Sequence, residues 1–74
     1  MEIIYDPDAD AMYIEFSKAE WAKNKKIDDN TIIDLDKSGK IIGIELLSVK
    51  KRIPLSSLSD ISFKNLVNTK KIAA

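Results

Sequence analysis

The chain has 74 residues, 12 of them basic and 12 acidic, and it contains neither cysteine nor histidine. This composition excludes disulfides, cysteine- or histidine-bound zinc, and catalysis by thiol or imidazole. The zero net charge disfavours a nucleic-acid partner, because phosphate binding normally needs a basic excess. A chain this short folds as one domain with a small core, which oligomerisation commonly supplements.

Short apolar runs separated by turn residues predict a sheet-rich domain. The first strand is expected at residues 2–5, ending where Pro7 begins a turn. The second covers residues 12–16, with Met12, Ile14 and Phe16 on one face and Tyr13 on the other. Residues 21–27 are rich in lysine and asparagine, which is typical of a strand at the edge of a sheet.

A β-hairpin is predicted at residues 31–47, where two apolar runs flank the segment 36–40. A turn centred on Ser38-Gly39 would place Asp36 opposite Ile41, and Leu35, Ile33 and Thr31 opposite Ile42, Ile44 and Leu46. A three-residue loop with a bulge at Gly39 would instead place Leu35 beside Ile41. We favour the first register because it aligns the apolar residues of both strands on one face.

The chain after the hairpin is less regular. Residues 48–53 favour a short helix with a basic face, ended by Pro54, and residues 55–58 favour another helical turn. Between residues 61 and 67, alternation favours a final strand, although helical spacing also fits. Residues 68–74 are expected to be a frayed tail. The sequence thus predicts one α+β domain: a small antiparallel meander of four to six strands, with a short helical segment after the 31–47 hairpin.

Residues 34–45 match the spacing of a calcium-binding loop, with Asp34, Asp36 and Ser38 as oxygen donors, Gly39 at position six and Glu45 at position twelve. That site needs a helix on each side, whereas both flanks here are strand-patterned. We therefore interpret the match as a coincidence within a hairpin. Asp34, Asp36 and Glu45 remain weak candidates for metal ligands on one face.

A second acidic cluster, Asp6, Asp8 and Asp10, lies near Tyr5 and Tyr13. Its carboxylates could bind a cation or act as an acid–base pair. They could equally accept hydrogen bonds from turn backbone, which we favour. The candidate functional surface from both clusters comprises Tyr5, Asp6, Asp10, Tyr13, Asp34, Asp36 and Glu45. Trp21 suits either a partner contact or the edge of the core, and the basic residues 50–52 are expected to be solvated.

Three blocks of this sequence carry a family resemblance. They are residues 5–14 (Tyr-Asp-Pro-Asp-Ala-Asp-Ala-Met-Tyr-Ile), residues 33–36 with Gly39, and residues 42–47 (Ile-Gly-Ile-Glu-Leu-Leu). Together they resemble a small prokaryotic family, the domain-of-unknown-function family 2283, over about residues 1–58. The resemblance implies a stand-alone bacterial or archaeal domain with no established activity, whose members often look like accessory or antitoxin-like proteins.

We expect a protein-interaction or accessory module that acts as a homo-oligomer in the cytoplasm, since no run is long enough to cross a membrane and no signal-peptide pattern is present. The expected partner is a protein or a second copy, without membrane, metal or cofactor. The alternative is a weak divalent-cation-binding protein or a carboxylate-dependent enzyme that uses the acidic clusters. A domain of this size offers little volume for such a pocket.

Overall fold

The computed structural model describes residues 1–67, which form a five-stranded antiparallel sheet followed by two short helices. The α+β class is thereby confirmed. The strands, in chain order, are β1 (Glu2–Asp6), β2 (Ala11–Glu15), β3 (Lys23–Asp28), β4 (Thr31–Leu35) and β5 (Ile41–Leu46); the helices are α1 (Val49–Arg52) and α2 (Leu55–Leu58).

The strand order in the sheet is β1-β2-β5-β4-β3, so the sheet differs from a simple meander in one connection. The chain leaves β2 and crosses to the far edge before β4 and β5 fill the centre. The side chains explain this order. All six residues of β3 are exposed, as suits an edge, whereas Ile42 and Gly43 of β5 are buried and need a neighbour on each side.

The β4–β5 hairpin keeps the predicted register over most of its length. Thr31 pairs with Leu46, Ile33 with Ile44 and Asp34 with Gly43. Near the turn the prediction was wrong, because a bulge between Asp34 and Leu35 places Leu35 opposite Ile41 rather than Ile42.

The shape of the turn explains this shift. Gly39 adopts a φ of 85°, which glycine reaches without a steric cost. The loop closes between Asp36 and Lys40, whose backbone groups bond at 3.0 Å, so Asp36 faces Lys40 and not Ile41. The bulge then restores the register in which the apolar residues meet.

One face of the sheet is apolar and the other is largely polar. On the apolar face Met12 pairs with Leu46, and Ile14 pairs with Ile44. Among residues 1–67, the hydrophobic side chains classed as buried are Met12, Ile42 and Val49. The core is therefore small. Its deepest residue, Val49, belongs to α1 rather than to the sheet.

The sequence correctly predicts the two short helices near the C-terminus, but not the structure of the segment that follows them. Helices α1 and α2 lie where the sequence placed them. The strand favoured between residues 61 and 67 was wrong, and the alternative helix is also absent: this segment is irregular. Its backbone has no strand partner within the described part of the chain, so alternation alone could not form a strand. The tail predicted at residues 68–74 lies outside the described residues.

Two further expectations concern the start of the third strand and the position of Trp21. The third strand begins at Lys23 rather than at residue 21, and Trp21, which precedes it, is 55% exposed while its indole donates to Asn24 at 2.6 Å. Within residues 1–67, no helix has the length and apolar character needed to cross a membrane.

Candidate functional site

The first part of the predicted surface connects the β1–β2 turn to α1. Asp10 has a φ of 50°, a left-handed conformation that aspartate tolerates better than most residues. Its carboxylate accepts a bond from the Tyr5 hydroxyl at 3.0 Å and from the backbone N–H of Lys50 at 3.1 Å. Its carbonyl accepts from the N–H of Val49, also at 3.1 Å. Asp10 therefore acts as the tie between the turn and the first residues of α1.

This arrangement changes the chemistry of Tyr5. The pKa of the Tyr5 phenol is raised, first by burial, then by the hydrogen bond to Asp10 and the negative charges of Asp10 and Asp6. A phenol with a raised pKa holds its proton more firmly and is a weaker acid. The pair of Tyr5 and Asp10 is thus built for holding the turn in place.

Asp6 stabilises the same turn from its other end. Its carboxylate oxygen Oδ1 accepts from the N–H groups of Asp8 at 2.9 Å and of Ala9 at 3.3 Å. This is the backbone-capping role that short acidic side chains commonly play in turns. The turn interpretation therefore accounts for Asp6, whereas the Asp10 carboxylate bonds to Tyr5 on β1 and to the backbone of α1.

The second part of the predicted surface lies on the polar face of the sheet, where three strands meet. Tyr13 on β2 is directly opposite Glu45 on β5, and Asp34 on β4 is directly opposite Gly43 on β5. Tyr13 reaches toward Asp34 across Gly43, because a Cβ built at Gly43 would lie 2.9 Å from Cε1 of the Tyr13 ring and closer still to its outer atoms. Glycine makes this crossing possible.

Asp34 is the buried charged residue of this face, with 9% of its surface exposed. Its Oδ1 has no hydrogen-bond partner among residues 1–67. Its neighbour Tyr13 has a raised pKa, caused first by burial, then by the adjoining Asp34 side chain and by the charges of Asp34, Glu15 and Glu45. The face thus brings Tyr13 beside Asp34 and Glu45, whereas the sequence had suggested Tyr13 near Tyr5 and the acidic residues 6–10.

Asp36 does not belong to that face, although its sequence position placed it there. It closes the β4–β5 loop, where its Oδ1 accepts from the Ser38 N–H at 2.9 Å, the Ser38 hydroxyl at 2.8 Å and the Lys40 N–H at 3.0 Å. These bonds, led by the Ser38 hydroxyl, lower the pKa of the Asp36 carboxyl below its ordinary value. All three donors belong to the loop itself, so Asp36 shapes the turn.

The acidic residues do not converge on a point. Within residues 1–67, no group of three or more acidic side chains could hold a metal ion together. The calcium-loop pattern at residues 34–45 is flanked by β4 and β5 instead of helices. Asp34 and Glu45 lie on the sheet and Asp36 lies in the loop, so the match in spacing does not become a match in space.

The structure also shows an exposed apolar surface that the sequence patterns did not indicate. Several large apolar side chains near the N-terminal end of β1 are exposed: Met1 (80%), Ile3 (43%), Phe16 (38%), Ile61 (58%) and Phe63 (79%). We call these five residues the open apolar surface. Four of them, all except Phe16, line a groove of about 460 Å³. The sequence feature that could have indicated this surface is the pair Ile61 and Phe63, two apolar residues beyond the predicted helices.

Comparison with known proteins adds a family to this description. The model of a family described as "Protein of unknown function (DUF2283)" matches residues 2–50, from the start of β1 into α1. The chain belongs to this family. The DUF2283 match contains the hydrogen bonds of Asp10, the Tyr13–Gly43–Asp34 crossing and the loop of Asp36, and it confirms the resemblance read from the sequence blocks. No curated protein and no solved structure matches the chain.

Proposed function

We propose that this DUF2283 domain is a protein-interaction module that works as a homo-oligomer, with the open apolar surface as its contact region. The observation that carries the proposal is the exposure of these five residues beside a core of three buried hydrophobic side chains. Monomeric soluble proteins expose single apolar residues freely, but contiguous apolar patches commonly mark contact sites.

The overall dimensions support the same proposal. The accessible surface is 5981 Å², whereas a compact monomer of this mass would expose about 4,600 Å². The radius of gyration is 14.5 Å, against about 11 Å for a compact domain of this length. A standard interface covers about 800 Å² on each partner. Association over such an area would bring the accessible surface of the domain closer to that of a compact monomer.

The open apolar surface is contiguous. The pairing of Glu2 with Glu15, continued by one residue, would place Met1 beside Phe16. Ile3 lies on the same face as Met1, since side chains two apart along a strand share a face. Ile61 and Phe63 complete the groove over them. One protein surface could therefore cover all five side chains at once.

An accessory role beside a second protein, of the kind that antitoxins play, stays a prediction from the family resemblance, as does a cytoplasmic location. The cation-binding and carboxylate-enzyme alternative has no geometric support within residues 1–67, because the candidate carboxylates accept turn hydrogen bonds or lie apart. We do not propose it.

The test compares two adjacent substitutions of equal charge. Phe63→Asp places a charge in the open apolar surface, whereas Ser62→Asp places it on the neighbouring exposed residue. Size-exclusion chromatography with light scattering should show an oligomer for the unmodified chain and for Ser62→Asp, and a shift toward monomer for Phe63→Asp. Equal masses for both variants would contradict the proposed contact region.

A further inference from the structure

The two edges of the sheet are protected to different degrees. The outer strand β3 carries Lys23, Lys25 and Lys26, all exposed, and a bulge interrupts its pairing between Lys26 and Asp28. Lysines and bulges are the devices by which natural sheets prevent pairing with other chains. The other outer strand, β1, has the sequence Glu-Ile-Ile-Tyr-Asp, with neither lysine nor a bulge. It is the less protected edge, with Glu2 and Asp6 as its charged residues.

The backbone of β1 also offers free hydrogen-bonding groups. The N–H of Phe16 donates to Ile42 on β5 at 2.8 Å, so the even-numbered residues of β2 bond toward β5 and the odd-numbered ones toward β1, as antiparallel alternation requires. Tyr13 pairs with Ile4, so Ile4 bonds inward. The backbone groups of Ile3 and Tyr5 therefore point outward, on the side where the sheet formed by residues 1–67 has no further strand.

The free edge adjoins the open apolar surface. Ile3 belongs to both: its backbone lies on the outer edge and its side chain lines the groove with Met1, Ile61 and Phe63. A strand added to β1 would therefore gain main-chain hydrogen bonds and apolar contacts together, which is how strand addition normally obtains its affinity.

We propose that the partner at this edge is a second copy of the chain, whose own β1 pairs antiparallel with the first to form a continuous ten-stranded sheet. The inference rests on the proposed function and specifies its geometry. A two-fold axis makes the same patch meet itself, so the two grooves would lie side by side and merge into one apolar surface across the axis.

Charge selects the register of this pairing. An axis through Ile4 would set Glu2 of each copy directly opposite Asp6 of the other, and opposed like charges destabilise a sheet. An axis through Ile3 sets Ile3 opposite Ile3, Met1 opposite Tyr5, and Glu2 opposite Ile4. No like charges are then directly opposed. The register centred on Ile3 is the one we assign.

A cross-linking experiment tests both edge and register, because the chain contains no cysteine. Residues directly opposite each other in a hydrogen-bonded pair have Cα atoms about 5.5 Å apart, within the range of a disulfide. Ile3→Cys should therefore form a disulfide-linked dimer under mild oxidation. Ile4→Cys should link far less, since Ile4 faces Glu2 of the second copy. Asn24→Cys on the protected edge β3 should stay monomeric on a denaturing gel.

A second variant works without oxidation. Ile3→Lys would set two lysines opposite each other and should weaken self-association at least about tenfold, whereas Lys23→Ile on β3 should not. Circular dichroism confirms that each variant is folded. Efficient linking through Ile4→Cys, or through Asn24→Cys, would overturn the assignment. If the unmodified chain is a dimer but Ile3→Cys does not link, the edge is wrong and the proposed function survives; if it is a monomer throughout, both fail.

Discussion

The ring of Tyr13 occupies the space that a Cβ atom at Gly43 would take. This places the phenol above the central strand β5 and beside Asp34, which pairs with Gly43 on the next strand. Three strands are thus joined on the polar face by one side chain. The contact also explains why a glycine stands inside a strand of otherwise apolar residues, where it normally weakens the sheet.

Gly43→Ala should lower the free energy of unfolding by about 1–3 kcal/mol, because the added methyl group overlaps the Tyr13 ring. In a Tyr13→Ala background the same substitution should cost nothing or stabilise slightly, since alanine suits a strand better than glycine does. Urea denaturation of the four proteins in this cycle measures the coupling. Equal costs in both backgrounds would show that the ring does not lie over Gly43.

Asp34→Asn should lower the pKa of Tyr13 toward its ordinary value, and Asp10→Asn should do the same for Tyr5. Burial is the largest cause of both shifts, so each pKa should fall only part of the way. The chain has two tyrosines, and a titration of tyrosinate absorbance can follow them with each aspartate variant serving as the control for the other. An unchanged titration in both variants would contradict the contacts.

The stability that Asp36 contributes should depend on pH. Its folded pKa lies below the ordinary value, so its contribution is present above the ordinary aspartate pKa of about 3.9 and is lost as the pH falls through the lower folded value. Asp36→Asn should therefore reduce the thermal midpoint at neutral pH, with the difference from the unmodified chain shrinking in acid. A difference that grows in acid would mean that the loop does not stabilise the charged form.

Val49→Ala should cost about 2 kcal/mol of unfolding free energy, because it removes two methyl groups from the fully buried side chain at the start of α1. Val67→Ala removes the same atoms from a side chain that is 54% exposed and should change stability by less than about 0.5 kcal/mol. Chemical denaturation measures both. Equal costs would show that α1 is not anchored against the sheet.

Much of the fold was predictable because the local sequence pattern of several strands and helices agrees with their position in the fold. The alternation of Met12, Ile14 and Phe16, the lysines of β3 and the proline after α1 each indicate their element correctly. The strand order was not predictable, since alternation does not say which strands are neighbours. The segment at Ile61 and Phe63 shows the same limit: an alternating pattern becomes a strand only where a partner strand is available.

The candidate site was predictable in part. Asp34 and Glu45 were expected on one face, and the alternation of strand side chains places them there. The approach of Tyr13 to this face was not expected, because it depends on which strands are neighbours. Asp36 was misplaced because the left-handed Gly39 and the bulge at Leu35 shift the end of the hairpin by one residue. The open apolar surface was missed because it joins residues from both ends of the chain, and no local pattern reports such contacts.

Sedimentation equilibrium of the unmodified chain, from micromolar to near-millimolar concentration, tests the proposed self-association most directly. We predict a mass that rises with concentration to twice the chain mass of 8.3 kDa, since the open apolar surface is covered when two copies meet. A mass that stays at that of one chain over the whole range would contradict the proposal.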